Sequence, residues 1–382
     1  NYPNTIFFCS FGYCDLIKNM FSLLIFLIIL SIMILVHEYG HFAQARRLGI
    51  RVEKFSLGFG PKLLNYKRGD TEYTLCLFAF GGYVKLSGDN REECKGEPHE
   101  FLSRKPLDRA KVIAAGPALN YLLAFICLWL VNLVGYPNLT TRVGEVMAGY
   151  PAESAGILKD DLIVSIEGKS VQYWNQLQEI IYKNKSSSVK LELLRNNEKV
   201  ELTAKLAQET VKNILGNKQR ISLLGIRPKG ETVIVKHNVF MGFVLAGENL
   251  WNLTTLTLSA FGKMLTGGLS FKDNVTGPLG MFYVTNEAVK IGFNAVLHLM
   301  AVLSASLCIF NLLPFPILDG GHLFFLGLEK LRGRHLSQKV EEKIGQVGFG
   351  FIISLAVFVF LNDLVKFGLW QKAVDVLKQF KP

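Results

Sequence analysis

Charge is what this sequence has least of. Only 19% of its 382 residues are Asp, Glu, Lys or Arg, against about 25% in soluble domains. Half are hydrophobic, and the mean hydropathy is +0.28. That shortage excludes the two or three ordinary soluble domains that length alone would suggest. Cysteine is scarce too. Cys9, Cys14, Cys76, Cys94, Cys127 and Cys308 include no CxxC pair, which excludes a disulfide framework and a cysteine zinc site. Residues 137–290 hold none, as suits a segment outside the cytoplasm. The formal net charge is +11, but no interleaved basic and aromatic stripe accompanies it. Nucleic acid is therefore not an expected partner, and basic loops on one side of a membrane account for the excess. With 28 Phe and segregated charges, the chain is not disordered.

Long uncharged runs stand where the charges are missing. Residues 21–36 read FSLLIFLIILSIMILV, and about 20 helical residues rising 1.5 Å each cross the hydrocarbon core. A cleaved signal peptide is the competing reading, since Ala43-Gln44-Ala45 resembles a cleavage site. The run is longer than a usual signal core and only Lys18 precedes it, so a retained first span over 20–44 is expected. Met20 reads as the natural start, which makes residues 1–19 an extension. Further spans are expected at 111–135, 291–327 and 346–370. Arg46-Arg47 follow the first span, and Lys330, Arg332, Arg334, Lys339 and Lys343 separate the third from the fourth. The positive-inside rule then puts 45–110 and 328–345 in the cytoplasm and 136–290 outside, leaving 371–382 as a tail. Glu248, Asn249 and Asn252 make 239–265 too polar for a lipid-facing span, so 231–290 reads as an amphipathic interfacial segment.

The first span ends in His37-Glu38-Tyr39-Gly40-His41. Positions i and i+4 share one helix face, so both imidazoles reach one metal, and Glu38 is placed to act as general base on a water. Such a pentapeptide is weak evidence in a soluble chain. Inside an uncharged apolar helix, three ionisable groups in five residues demand a compensating partner. Catalytic zinc needs a third protein ligand and an open position. Residues 311–322 read NLLPFPILDGGH; Pro314 and Pro316 break the third span, and irregular backbone at membrane depth is tolerated where it lines a cavity. Asp319 is the chosen third ligand. Its competing role is capping the next helix. His322 is a rival ligand better suited to supporting the site, and His298 reads as a packing residue.

HEYGH in a span together with NLLPFPILDGG resembles the site-2 protease family of intramembrane zinc metalloproteases. The closest likeness is to the bacterial regulated-intramembrane-proteolysis branch that carries PDZ domains. The resemblance implies Zn²⁺ on His37, His41 and Asp319, with Glu38 as catalytic base. It gives Asn311 a part in holding substrate or organising the broken helix. Gly116-Pro117-Ala118-Leu119-Asn120 matches a GPxxN element of the family; Asn120 is expected to support the site by hydrogen bonding, while Gly116-Pro117 otherwise reads as helix punctuation. Gly277-Pro278-Leu279-Gly280 resembles a further element, with no role assigned beyond a turn. Implied substrates are single-span membrane proteins such as anti-sigma factors or remnant signal peptides, cut after another protease has trimmed them. The implied location is the inner (plasma) membrane, multi-pass in the lipid bilayer.

Two regions remain. Residues 74–80 and 83–86 flank Gly81-Gly82, which reads as a hairpin turn, and Gly60-Pro61 and Lys67-Arg68-Gly69-Asp70 read as further turns. These hairpins resemble the family's membrane-reentrant β region, whose free edge would hold an unwound substrate extended. Within 136–230, the run GYPAESAGILKDDLIVSIEGKSV resembles a single extracytoplasmic PDZ domain, which would take a peptide ligand or act as a size filter. The expected fold class is therefore membrane α-helical with four spans, membrane-associated β-hairpins and one α+β PDZ domain. Two rivals are a catalytically silent membrane PDZ adaptor, and a tethered soluble zinc protease. The complete His37, Glu38, His41 and Asp319 set argues against the first, and the apolar setting of HEYGH against the second.

Overall fold

The computed structural model describes residues 5–184, 186–213, 215–333 and 337–368. The expected tail at 371–382 lies outside the described residues. Helix α1 (Thr5–Arg47) runs unbroken from the extension through the HEYGH motif. It closes on Arg46 and Arg47, cations that suit the negative end of the helix dipole. Strands β1 (Val52–Arg68) and β2 (Thr71–Leu86) follow and pair antiparallel. Their register is folded over itself. Phe55 lies opposite both Val84 and Tyr73, while Tyr66 also faces Tyr73. Gly82–Leu86 thus form an outer segment beside the start of β1. The tight turn sits at Gly69-Asp70, with Gly69 at φ 60°.

β2 doubles back between Leu75 and Gly82, which both face Leu57, so the chain reverses just before the outer segment that Gly82 begins, close to where Gly81-Gly82 suggests a turn. A Cβ at Gly81 would lie 2.1 Å from the Phe59 ring, and one at Gly82 would lie 2.9 Å from Glu38 Cγ. These glycines are small because neighbours press on them. β1 likewise reverses around Gly60-Pro61: Leu57 and Leu64 both pair with Leu75, and Gly58 and Gly60 between them take φ 88° and 90°.

Helix α2 (Pro106–Val134) begins before the expected span, so Gly116 and Pro117 fall in its interior and do not open it. The chain then builds β3 (Tyr136–Leu139), β4 (Val143–Val146), α3 (Pro151–Ser154), β5 (Leu162–Ile166), β6 (Lys169–Ser170) and α4 (Trp174–Lys183). Next come β7 (Ser188–Arg195), β8 (Glu198–Lys205), β9 (Ala207–Lys212), β10 (Lys218–Leu223), β11 (Ile226–Pro228) and β12 (Thr232–Val235). Four strands form a sheet in the order β6-β5-β7-β8, and β4–β11, β9–β10 and β3–β12 pair separately. β7 and β8 close on Asn196-Asn197, at φ 51° and 67°, as a two-residue hairpin loop requires. Alternate residues Val189, Leu191 and Leu193 point inward with Ile163, Ile166 and Leu177 to make the core. Asp161, 1% exposed, is held there by paired hydrogen bonds from Arg195 at 2.8 and 2.9 Å.

The remaining elements are helical: α5 (Val239–Leu265), α6 (Phe271–Asn274), α7 (Pro278–Ile291), α8 (Phe293–Asn311), α9 (Asp319–Arg332) and α10 (Gln338–Lys366). The chain divides into two compact units. One contains Asn1–Val131, Phe243–Leu258 and Ser270–Pro382; the other contains Asn132–Gly242 and Ser259–Leu269. Among the described residues, four helices lying wholly or mostly in the first unit are long and apolar enough to cross a membrane: Asn19–Arg47, Pro106–Val134, Phe293–Asn311 and Glu342–Lys366. Within it, Ala124, Leu128, Leu250, Leu297 and Ala301 pack α2, α5 and α8 together. Asp363, fully buried in α10, accepts hydrogen bonds from the Gly277 and Gly280 amides at 3.1 and 3.0 Å. A Cβ at Gly277 would lie 2.8 Å from that carboxyl group. The GPLG element is thus the cradle that satisfies a buried polar side chain.

Candidate metal centre

Three side chains from two distant stretches converge. On α1, His37 Nε2 and His41 Nε2 are 3.2 Å apart, as the i, i+4 spacing dictates. Asp319, at the first turn of α9, brings Oδ2 to 3.2 Å from His37 Nε2 and 3.5 Å from His41 Nε2. Ligand positions around a tetrahedral zinc at about 2.0–2.1 Å lie about 3.3–3.4 Å apart, so this triangle has the size one zinc ion needs. Asp319 Oδ2 is buried and receives no hydrogen bond. An acceptor left bare beside two ring nitrogens costs free energy unless a cation completes it. Among the described residues, His37, His41 and Asp319 form the group able to hold a metal ion.

The second nitrogens of the two rings decide whether the first are available. His41 Nδ1 lies 2.9 Å from the Val112 carbonyl and must donate to it, which leaves Nε2 as a lone pair for metal. His37 Nδ1 lies 3.2 Å from the Asn120 amide, whose Oδ1 is buried without a partner. With the amide turned over, Oδ1 accepts Nδ1–H from His37, and the orphan atom and the required tautomer are both accounted for. Asn120 is fully buried, and its own carbonyl accepts from Ser304 Oγ of α8 at 2.8 Å. It thereby ties α8 to the ring it orients.

Small residues let the helices come this close. A Cβ on Gly40 would sit 2.3 Å from the Ala115 carbonyl, and one on Gly116 2.3 Å from His41 Nε2. The approach of Asp319 has the same origin. Added carbons on Gly320 and Gly321 would lie 2.3 Å from the Leu312 carbonyl and 2.0 Å from the Phe315 carbonyl. The cap of α9 is Leu318, with no side-chain hydrogen bond, so the Asp319 carboxylate is not used as a helix cap. Asn311 ends α8, and Pro314 lies in the following turn. Among the described residues, the side-chain hydrogen bonds of the cluster reach Val112 and Asn120, and neither Asn311 nor Pro314. His322 lines a separate polar cavity with Asp89 and Arg109, where Arg109 pairs with Glu329. Glu38 flanks the triangle, with Gly82 of β2 packed against its side chain. Sequence reasoning missed Val112 and Ser304, and it took Gly116 for helix punctuation where its role is close contact with His41.

Two imidazoles and a carboxylate able to hold one metal ion thus stand together, with the Glu38 carboxylate beside them. The family model of peptidase family M50 matches residues 25–355, and the chain belongs to that family: it is an intramembrane zinc metalloprotease. Its similarity to relatives spans almost their whole length. A Clostridium acetobutylicum protein with a zinc-metalloprotease name is 32% identical, covering 91% of this chain and 98% of that one. The regulator of sigma-E protease RseP of Escherichia coli is 27% identical, covering 91% and 99%. Among solved structures, the PDZ domain of an SdrC-like protein from Listeria innocua matches at 26% identity and a TM-score of 0.19. That match covers 24% of this chain and 96% of the domain.

Proposed function

We propose that Glu38, His37, His41 and Asp319 are the catalytic machinery of this protease, acting on single-span membrane proteins presented along the edge of β2. The observation that carries this reading is the position of Glu38, between the ligand triangle and the outer segment that begins at Gly82. His37, His41 and Asp319 would hold the zinc ion, which would supply the Lewis acidity that makes water a nucleophile near neutral pH. Glu38 takes the proton of the attacking water and passes it to the leaving amine. A transmembrane helix shields its amide carbonyls, so it must be extended before attack. Main-chain pairing along Gly82–Leu86 would hold it in that form. The exposed apolar side chains of Phe59, Leu63, Leu64 and Phe78 support a membrane-associated position for this ribbon. Asn120 orients His37, while Asn311 and Pro314 shape the segment that delivers Asp319.

In this reading the protein lies in the inner (plasma) membrane, and the mixed unit is an extracytoplasmic PDZ domain. A groove of about 270 Å³ between β11 and α4, lined by Tyr150, Trp174, Ile181, Leu224 and Ile226, is its candidate peptide site. Substrates would be anti-sigma factors or remnant signal peptides already trimmed outside. The deciding experiment is Glu38→Gln, assayed on a detergent-solubilised substrate span with zinc measured in parallel. Cleavage should fall about 10²–10⁴-fold, the usual worth of a general base, with zinc content unchanged. Full activity in that variant removes the mechanism.

A further inference from the structure

The start of α10 carries a stripe that changes character along its length. Lys339, Lys343, Val347 and Phe351 recur at four-residue intervals, so they line one helix face over about 18 Å. The two lysines come first and the apolar residues follow, in the order headgroup then chain. This face and the Phe315-Pro316 turn enclose a groove of about 550 Å³, within the range of sites that bind small ligands. Phe315 stacks on Phe351 at 5.4 Å between ring centroids. Gly348 is buried, and its missing Cβ leaves room for the Pro316 ring at 3.1 Å. Val347 is 68% exposed and Phe351 50% exposed, so the apolar end is open to an occupant. Glu342 contributes to the polar cavity that also holds Arg109 and Glu329, and is not among the groove residues. Both lysines stand in the first two turns of α10, where the helix dipole adds to their positive potential.

We propose that this groove binds one anionic phospholipid, its phosphate between Lys339 and Lys343 and an acyl chain along Val347 and Phe351. Charge complementarity and depth select that occupant: the lysines lie where the span Glu342–Lys366 begins, at the level of headgroups. The bound lipid would brace Phe315-Pro316, the turn against which Gly321 packs two residues after Asp319. The site stands on its own geometry and does not depend on the catalytic assignment.

Native mass spectrometry of the full chain, titrated with phosphatidylglycerol or phosphatidylcholine in detergent, tests it. Phosphatidylglycerol should be retained in preference to phosphatidylcholine. Lys339→Gln with Lys343→Gln should weaken its retention about 30-fold, about fivefold per lysine, while the Lys→Arg pair keeps it. Equal retention of both lipids, or unchanged phosphatidylglycerol binding in the Gln pair, overturns the proposal. So does capture of a polypeptide, rather than lipid, by a photoreactive residue at Val347. Should the Gln pair fail to fold, the headgroup comparison on the unaltered chain still decides. Because binding is read directly, a failure here is distinct from a failure of Glu38 chemistry.

Discussion

The two halves of the candidate metal centre are built by opposite means. His37 and His41 come from an uninterrupted helix, where periodicity alone stacks their rings. Asp319 comes from a break, where two prolines end one helix and two glycines let the next begin against bare backbone. The first half is local and needs α2 only to fix which nitrogen is free. The second half is entirely tertiary. A site of this kind is legible from one motif but positioned by the other.

That contrast can be broken at its tightest contacts. Gly321→Ala should remove essentially all bound zinc and activity, because its Cβ would strike the Phe315 carbonyl at 2.0 Å. Gly116→Ala should do the same from the other side by displacing the His41 ring. Zinc content by elemental analysis checks both, and normal zinc in either would show that the packing yields more easily than argued. A smaller effect is expected where only orientation is lost. Asn120→Ala should weaken metal affinity about 10–100-fold, the range seen when a ligand's hydrogen-bonding partner is removed; competition with a chelator would measure it. The smallest effect on the centre belongs to the other compact unit. Arg195→Ala should destabilise that unit by about 1–3 kcal/mol, by stripping two hydrogen bonds from the buried Asp161 carboxylate. Zinc content should not move. Loss of zinc there would mean that the two units do not fold separately.

The four apolar spans, HEYGH and the choice of Asp319 are visible in the sequence because each has a periodicity or a cost that stands out. Glycine is where reading is incomplete. The turn at Gly69-Asp70 and the reversal before Gly82 are both visible, but nothing in the sequence says that Phe59 and Glu38 press on Gly81 and Gly82. Gly116-Pro117 suggests the start of a helix that in fact begins at Pro106. At Gly81, Gly82 and Gly116 the residue serves close approach and not unusual backbone angles, and the two demands are written with the same letter. What separates them is the neighbour: Glu38 against Gly82, His41 against Gly116. Those partners lie far away in the chain, so no local pattern announces them. Val112 acts through its carbonyl, and a main-chain role leaves no mark on residue type.

Asp363 carries a consequence for how the molecule is made. A carboxyl group near the end of a span is costly in lipid until something answers it, and here two amide hydrogens at the start of α7 do so. In the chain, α7 precedes α10. The amides that answer Asp363 are therefore synthesised before the span that carries it.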